Sequence, residues 1–179
     1  MGNIVVKSRK PIFTSKYFNL IEANIAHNDK EATFHYVDRR PFVLIIPLSE
    51  KNEVYLLKHY RYVEERDFIE ICSGVIEQHE DSLDAAKREL KEETGLTAQK
   101  WTRLSTVYPA SSFTKSNKTY YLAQELTLGD KELEFSEEID IIKMPIEEAI
   151  KKILDGEIDA EKTVVGVLLV YTLLQKNKI

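Results

Sequence analysis

Three glutamates, Glu89, Glu92 and Glu93, stand at positions i, i+3 and i+4. On an α-helix, where each residue turns roughly 100°, they share one face. Like charges at that spacing repel by a few tenths of a kcal/mol per pair, so something must offset them. Arg88 can pair with Glu92 one turn on, or with a carboxylate in the preceding loop such as Glu80. A hard divalent cation is the other candidate. Mg²⁺ prefers oxygen donors, keeps several waters and commonly bridges to substrate phosphates, and Glu89 and Glu93 suit it. The competing reading is an ordinary solvated acidic surface, which the helix taken alone favours.

The element that carries these groups is a helix over residues 82–94. Ser82 is a good N-cap and Gly95 the expected residue just past the end. Leu83, Ala86 and Leu90 form an adjacent stripe for the core, while Lys87 and Lys91 fall on the far side. Residues 17–27 and 32–37 read as antiparallel strands around an Asn28-Asp29 turn. Residues 42–46 form a short apolar run of the kind buried on both faces, with 53–58 as its hairpin neighbour. Residues 101–108 and 118–124 read as strands around a polar loop, and 139–144 as another. Pro145 opens a helix that Gly156 ends, and 163–175, apolar almost all round, predicts a largely buried helix. Strands and helices mix without regular alternation, which predicts an α+β or α/β sandwich with a mixed central sheet and helices on both faces.

Gly74, Glu80, Arg88-Glu89-Leu90, Glu92-Glu93 and Gly95-Leu96 follow the spacing G-x5-E-x7-R-E-U-x-E-E-x-G-U, with U apolar. The stretch resembles the Nudix box at every fixed position. The resemblance implies a Nudix α/β/α sandwich and hydrolysis of a nucleoside diphosphate linked to another moiety, with Mg²⁺, or Mn²⁺ in its place. It assigns Glu89, Glu92 and Glu93 to the metal, with Glu92 central to catalysis, and Arg88 to orienting them. Gly74 lets the backbone turn towards the metal, the carbonyl of Ser73 is a further ligand, and Glu80 and Gly95 are structural.

Upstream, Lys58-His59-Tyr60-Arg61 and Phe68-Ile69-Glu70-Ile71-Cys72-Ser73-Gly74 resemble the ADP-ribose and nucleotide-sugar pyrophosphatases, where a Q-Y-R segment precedes an E-x-P-A-G run. Arg61 and Glu70 match the group's polar positions, and both are candidates to contact the substrate. His59, Cys72 and Ser73 depart from glutamine, proline and alanine. In that group a proline follows the box in a substrate loop, a place Pro109 takes here without the usual glycine after it. The group also places a later loop glutamate as general base, which points to Glu138 and then Glu137. Arg39, Arg40 and Arg61 are candidates for the phosphates, and Tyr60, Tyr36 or Phe113 for stacking on a base. An N-terminal strand subdomain that helps form a homodimer is typical of these enzymes, and residues 1–40 have the size for one, leaving 41–179 for the catalytic domain. The expected products are a nucleoside monophosphate and a sugar phosphate. Nucleoside triphosphates or dinucleoside polyphosphates are an alternative substrate class, and a silent nucleotide-sugar sensor is a rival of another kind, although such modules commonly lose box carboxylates.

Composition agrees. The chain has 179 residues, 43% of them hydrophobic and 31% charged, and a formal net charge of −5, a globular balance. An acidic surplus argues against a nucleic-acid partner. The single cysteine, Cys72, excludes an internal disulfide framework and a cysteine-built zinc site. With neither a signal-peptide pattern nor a membrane-length apolar run, the expectation is a cytoplasmic protein with a small-molecule nucleotide substrate.

Overall fold

A computed structural model of the chain describes residues 4–129 and 139–179. Glu137 and Glu138 lie outside the described residues. The chain divides into two compact units: Met1–Phe42 with Val107–Lys118, and Val43–Thr106 with Thr119–Ile179. The sequence boundary at residue 40 differs from this in two respects: the first unit runs to Phe42, and the loop and short strand over 107–118 join it.

In the first unit, strands β1 (Val5–Thr14), β2 (Asn19–His27), β3 (Lys30–Asp38) and β9 (Thr114–Lys115) form a sheet in the order β1-β2-β3-β9. The β2–β3 hairpin turns on Asn28 and Asp29, with φ of 50° and 60°. A two-residue loop of this hand needs positive φ at both positions, which asparagine and aspartate tolerate best among residues with side chains. Strand β1 is exposed along its whole length. Strand β9 pairs in parallel with β3, Val37 opposite Thr114.

The second unit holds two sheets. Strands β7 (Cys72–Val75), β4 (Phe42–Pro47), β10 (Lys118–Leu128) and β8 (Leu96–Val107) are ordered β7-β4-β10-β8. Strands β11 (Ile139–Pro145), β5 (Glu53–Arg61) and β6 (Arg66–Glu70) are ordered β11-β5-β6. The apolar run Val43–Ile46 is fully buried, as its composition requires. Its expected hairpin with β5 is reduced to a single bridge, Leu48 with Val54, because β5 leaves to pair with β6 and β11. Helix α1 (Ser82–Thr94) packs on β7, and α2 (Ile146–Leu154) and α3 (Glu161–Gln175) pack on each other and on strands β5, β6 and β11. The architecture is the mixed α+β class that the sequence implies.

Helix details differ by small steps. Asp81, not Ser82, caps α1: its carboxylate accepts the Leu83 N–H at 2.8 Å. Ser82 instead meets the Tyr121 hydroxyl at 2.7 Å. Gly95 ends α1 with φ 69°, the left-handed step that glycine takes without a Cβ penalty. Pro145 is the last residue of β11, and α2 starts one residue later. Helix α3 is less buried than its composition predicts. Thr163, Gly166, Val167 and Val170 form its buried stripe, while Leu168 is exposed.

Candidate active site

The site is built on α1 and on the chain that leads into it through β6 and β7, all within the second unit. Arg88 organises it. Its Nε and one Nη2 proton go to Glu80 at 2.9 and 3.0 Å, and the other Nη2 proton to the Val75 carbonyl at 3.1 Å. Its two Nη1 protons go to Glu89 at 2.7 Å and Glu92 at 2.9 Å. A guanidinium has five N–H donors, and each is used. The two partners that the sequence leaves as alternatives, Glu80 and Glu92, are both engaged. These bonds, those to Glu80 foremost, push the Arg88 pKa above its ordinary value, and Arg88 in turn holds the Glu80 carboxyl below its own. Glu80 also accepts the Glu77 N–H at 2.9 Å, so the loop is tied to the helix through one carboxylate.

Glu93 faces inward. It is 5% exposed and accepts the Ser73 N–H at 2.9 Å. Burial pushes its pKa up to about 7, against the opposing bonds from Cys72 and the Ser73 amide. The Cys72 thiol is buried too, and burial and then the Glu93 charge push it well above its ordinary value. It is a packing residue of the core around Val43, Ile45 and Leu90.

Gly74 shows why a glycine stands there. A Cβ at this position would fall 1.8 Å from the Glu89 carboxyl carbon, so the carboxylate fills the space that any side chain would take. Glu89, Glu92, Glu93 and the nearby backbone therefore supply an all-oxygen donor set around a backbone cradle, the chemistry of a hard divalent cation. Among the described residues, no three His, Cys, Asp or Glu side chains are gathered closely enough to enclose an ion as they stand. Arg88 draws Glu89 and Glu92, while the Ser73 amide holds Glu93. The residues fit a metal by donor type and by the Gly74 cradle.

The upstream residues separate into two faces. Glu70 is 7% exposed. Arg61 Nε donates to its two oxygens at 3.2 and 3.1 Å, and Arg61 Nη2 forms a further ion pair with Oε2. Lys162 Nζ lies 3.0 Å from the same Oε2. Burial opposes ionisation of Glu70, but Arg61 and Lys162 outweigh it and hold its pKa below the ordinary value. The sequence places Glu70 among the substrate-facing residues; its carboxylate is instead enclosed and serves to hold two cations. Arg61 stays partly exposed, with 39% of its side chain open. Tyr60 is exposed but alternates with Arg61 along β5, opposite Asp67, so it lies on the other face of that sheet.

Arg39, Arg40, Pro109 and Phe113 belong to the first unit. Arg39 and Phe113 line a cleft of about 1160 Å³ there, together with Phe34, Tyr36 and Tyr108. The Arg39 guanidinium sits 4.9 Å from the centre of the Phe42 ring, and the Arg40 carbonyl accepts the Ser116 hydroxyl at 3.1 Å. Pro109 lies in the turn segment after β8.

Sequence reasoning misses Lys162. It stands at the start of an apolar helix, where a lysine ordinarily reads as a solvated end, and its partners Glu70 and Ser73 are distant in the chain. The only signal is a lone cation ahead of a buried threonine, too weak to single out.

Residues 38–164 match the NUDIX domain. An ADP-ribose pyrophosphatase of Bacillus subtilis is 26% identical over 159 residues, covering 87% of this chain and 86% of the relative. Another, from Mycobacterium tuberculosis, is 30% identical over 132 residues, covering 72% and 64%. A crystal structure of an ADP compounds hydrolase superposes with a TM-score of 0.86 at 22% identity, covering 98% of this chain and 97% of that one. None of the described helices is long and apolar enough to cross a membrane.

Proposed function

The chain belongs to the Nudix family and is a hydrolase acting on pyrophosphate bonds, and from that premise we propose that it cleaves a nucleoside diphosphate sugar, ADP-ribose or a close analogue, to a nucleoside monophosphate and a sugar phosphate. The observation that carries the reading is the arrangement on α1: Glu89, Glu92 and Glu93 on one face, with Arg88 bonded to Glu80, Glu89 and Glu92 and Gly74 against Glu89. The names of the two pyrophosphatase relatives support the substrate class.

In this reading Glu89, Glu92, Glu93 and the Ser73 carbonyl hold Mg²⁺, with Mn²⁺ as a substitute. When bound, the metal supplies charge neutralisation of the pyrophosphate and polarisation of the attacking water. Arg88 keeps the carboxylates apart and aimed while Glu80 holds Arg88 from behind, an outer layer of support that tunes the ligands. Arg61, fixed by Glu70 and partly open, is proposed to meet a phosphate. Glu138, with Glu137 next to it in the chain, is the proposed group that takes the water's proton. The apolar side chains exposed on the first unit, Ile4, Val5, Val6, Phe13 and Phe34, favour a homodimer that covers them.

Product chromatography with Mg²⁺ over ADP-ribose, other nucleoside diphosphate sugars, nucleoside triphosphates and dinucleoside polyphosphates tests the substrate class. Fastest turnover of a triphosphate would overturn it. Glu92→Gln is expected to bind nucleotide yet lose more turnover than the ~10–100-fold typical of outer-layer substitutions. Wild-type rates from that variant would sink the metal assignment.

A further inference from the structure

Ile71 is the residue at which the chain passes from β6 in one sheet to β7 in the other. Its amide is bonded by a side chain: Thr163 Oγ1 accepts the Ile71 N–H at 2.9 Å, and both residues are fully buried. The neighbouring residue of α3, Lys162, reaches the two ends of the same crossing. Its Nζ lies 3.0 Å from Glu70 Oε2 and donates to Ser73 Oγ at 2.6 Å. Ser73 then donates its own N–H to Glu93 at 2.9 Å. Two consecutive side chains at the start of α3 thus hold Glu70, Ile71 and Ser73, the residues that lead into Gly74.

The helix is brought close enough to do this. Its cap residue, Ala160, offers no side-chain bond, and the Tyr120 hydroxyl donates to the Lys162 carbonyl at 3.2 Å. Gly166, one turn on, has no Cβ; one placed there would lie 3.1 Å from both Ile71 Cδ1 and Tyr120 Cε1.

Glu70 does not by itself explain a lysine in this place. Removing an ammonium from water is costly, and Glu70 already has Arg61 along its carboxylate edge. Lys162 therefore adds a second cationic partner where Arg61 already balances Glu70, and it reaches past that carboxylate to the Ser73 hydroxyl.

We propose that Lys162 is a positioning residue for the metal face: through its bond to Ser73 it fixes the Ser73–Gly74 segment and the Glu93 carboxylate that Ser73 holds. It acts through those residues and does not touch substrate. The inference rests on the pyrophosphatase reading, in which Ser73 and Glu93 are ligands. Lys162→Met keeps the stem of the side chain and removes the bond. Ser73→Ala removes the bond to Ser73 and leaves the Lys162–Glu70 pair, so it separates positioning from simple charge balance.

The test is Mn²⁺ titration by calorimetry on the full chain, with thermal melting in EDTA and steady-state kinetics on ADP-ribose alongside. Lys162→Met is expected to weaken Mn²⁺ binding on the order of 10-fold or more, as outer-layer changes at metal sites do, and to lower kcat more than it raises KM. Ser73→Ala is expected to weaken Mn²⁺ binding in the same direction with an unchanged melting temperature. Wild-type Mn²⁺ affinity in a folded Lys162→Met protein would overturn the proposal. Should that variant fail to fold, wild-type affinity in Ser73→Ala would overturn it. A wild-type protein that binds no Mn²⁺ would overturn the pyrophosphatase reading, and the proposal with it.

Discussion

Gly74 and Glu93 show how single residues shape the site, and each leads to a measurement. At Gly74 the obstacle to a side chain is the Glu89 carboxyl, 1.8 Å from where a Cβ would stand. That carboxyl ends a flexible side chain and can move aside, so Gly74→Ala should fold. We expect its melting temperature in EDTA to change little and its Mn²⁺ affinity to fall on the order of 10-fold or more. Unchanged affinity would show that the orientation of Glu89 is immaterial. Glu93 carries a pKa raised from 4.5 to about 7 by burial. A carboxyl that binds its proton more tightly when folded stabilises the protein below its unfolded pKa, and that contribution fades as pH rises through the folded one. The window is therefore about pH 4.5 to 7, and at ~1.4 kcal/mol per pKa unit the full effect is about 3 kcal/mol. Glu70 and Glu80, whose values are lowered, act in the opposite sense and below pH 4.5. In EDTA, Glu93→Gln should gain stability relative to wild type between pH 5 and 8. A pH-independent difference between their denaturation curves would refute the assignment.

At the scale of elements, α1 is a helix whose ends are specified locally and whose contents are specified by packing. Asp81 bonds the Leu83 amide and Gly95 supplies the left-handed exit, its N–H returning to the Lys91 carbonyl at 2.8 Å. Asp81→Ala should cost about 1 kcal/mol, as cap losses do, and lower the melting temperature by roughly 2–4 °C for a chain of this size. Turnover at low temperature should survive, because no ligand is touched; a large loss of kcat at 25 °C would mean that the cap also sets the loop before it. Helix α3 makes the complementary point. Its composition reads as a buried rod, yet only one stripe is covered, and its functional weight falls on the polar pair Lys162-Thr163 at its start.

The whole molecule is acidic, with a net charge of −5, and yet its proposed substrate is an anion. A bound cation reverses the sign of a site locally, so net charge and substrate charge need not be opposite. The first unit raises a different question. A small sheet with a strand exposed along its entire length and several apolar side chains open to water is poorly stabilised alone. Light scattering should give twice the chain mass, and Val5→Lys combined with Phe34→Lys should shift it towards one. A wild-type monomer at micromolar concentration would remove the dimer from the reading.

Local chemistry is legible in the amino-acid sequence by itself. The helix over 82–94, the turn at Asn28-Asp29, the buried run at 43–46 and the placement of Glu89, Glu92 and Glu93 on one face each follow from periodicity, capping or spacing within a few residues. Arg88 and two of its partners are legible for the same reason, since Glu80 and Glu92 lie within a turn or a short loop. Pairings across long stretches of chain are not. Strand β5 takes β11 as a partner rather than β4, Lys162 reaches Glu70, and Ser82 turns to Tyr121 instead of capping. Each is decided by partners far away in sequence, because hydrogen-bond and ion-pair energies depend on distance in space, and only the closed fold sets that distance.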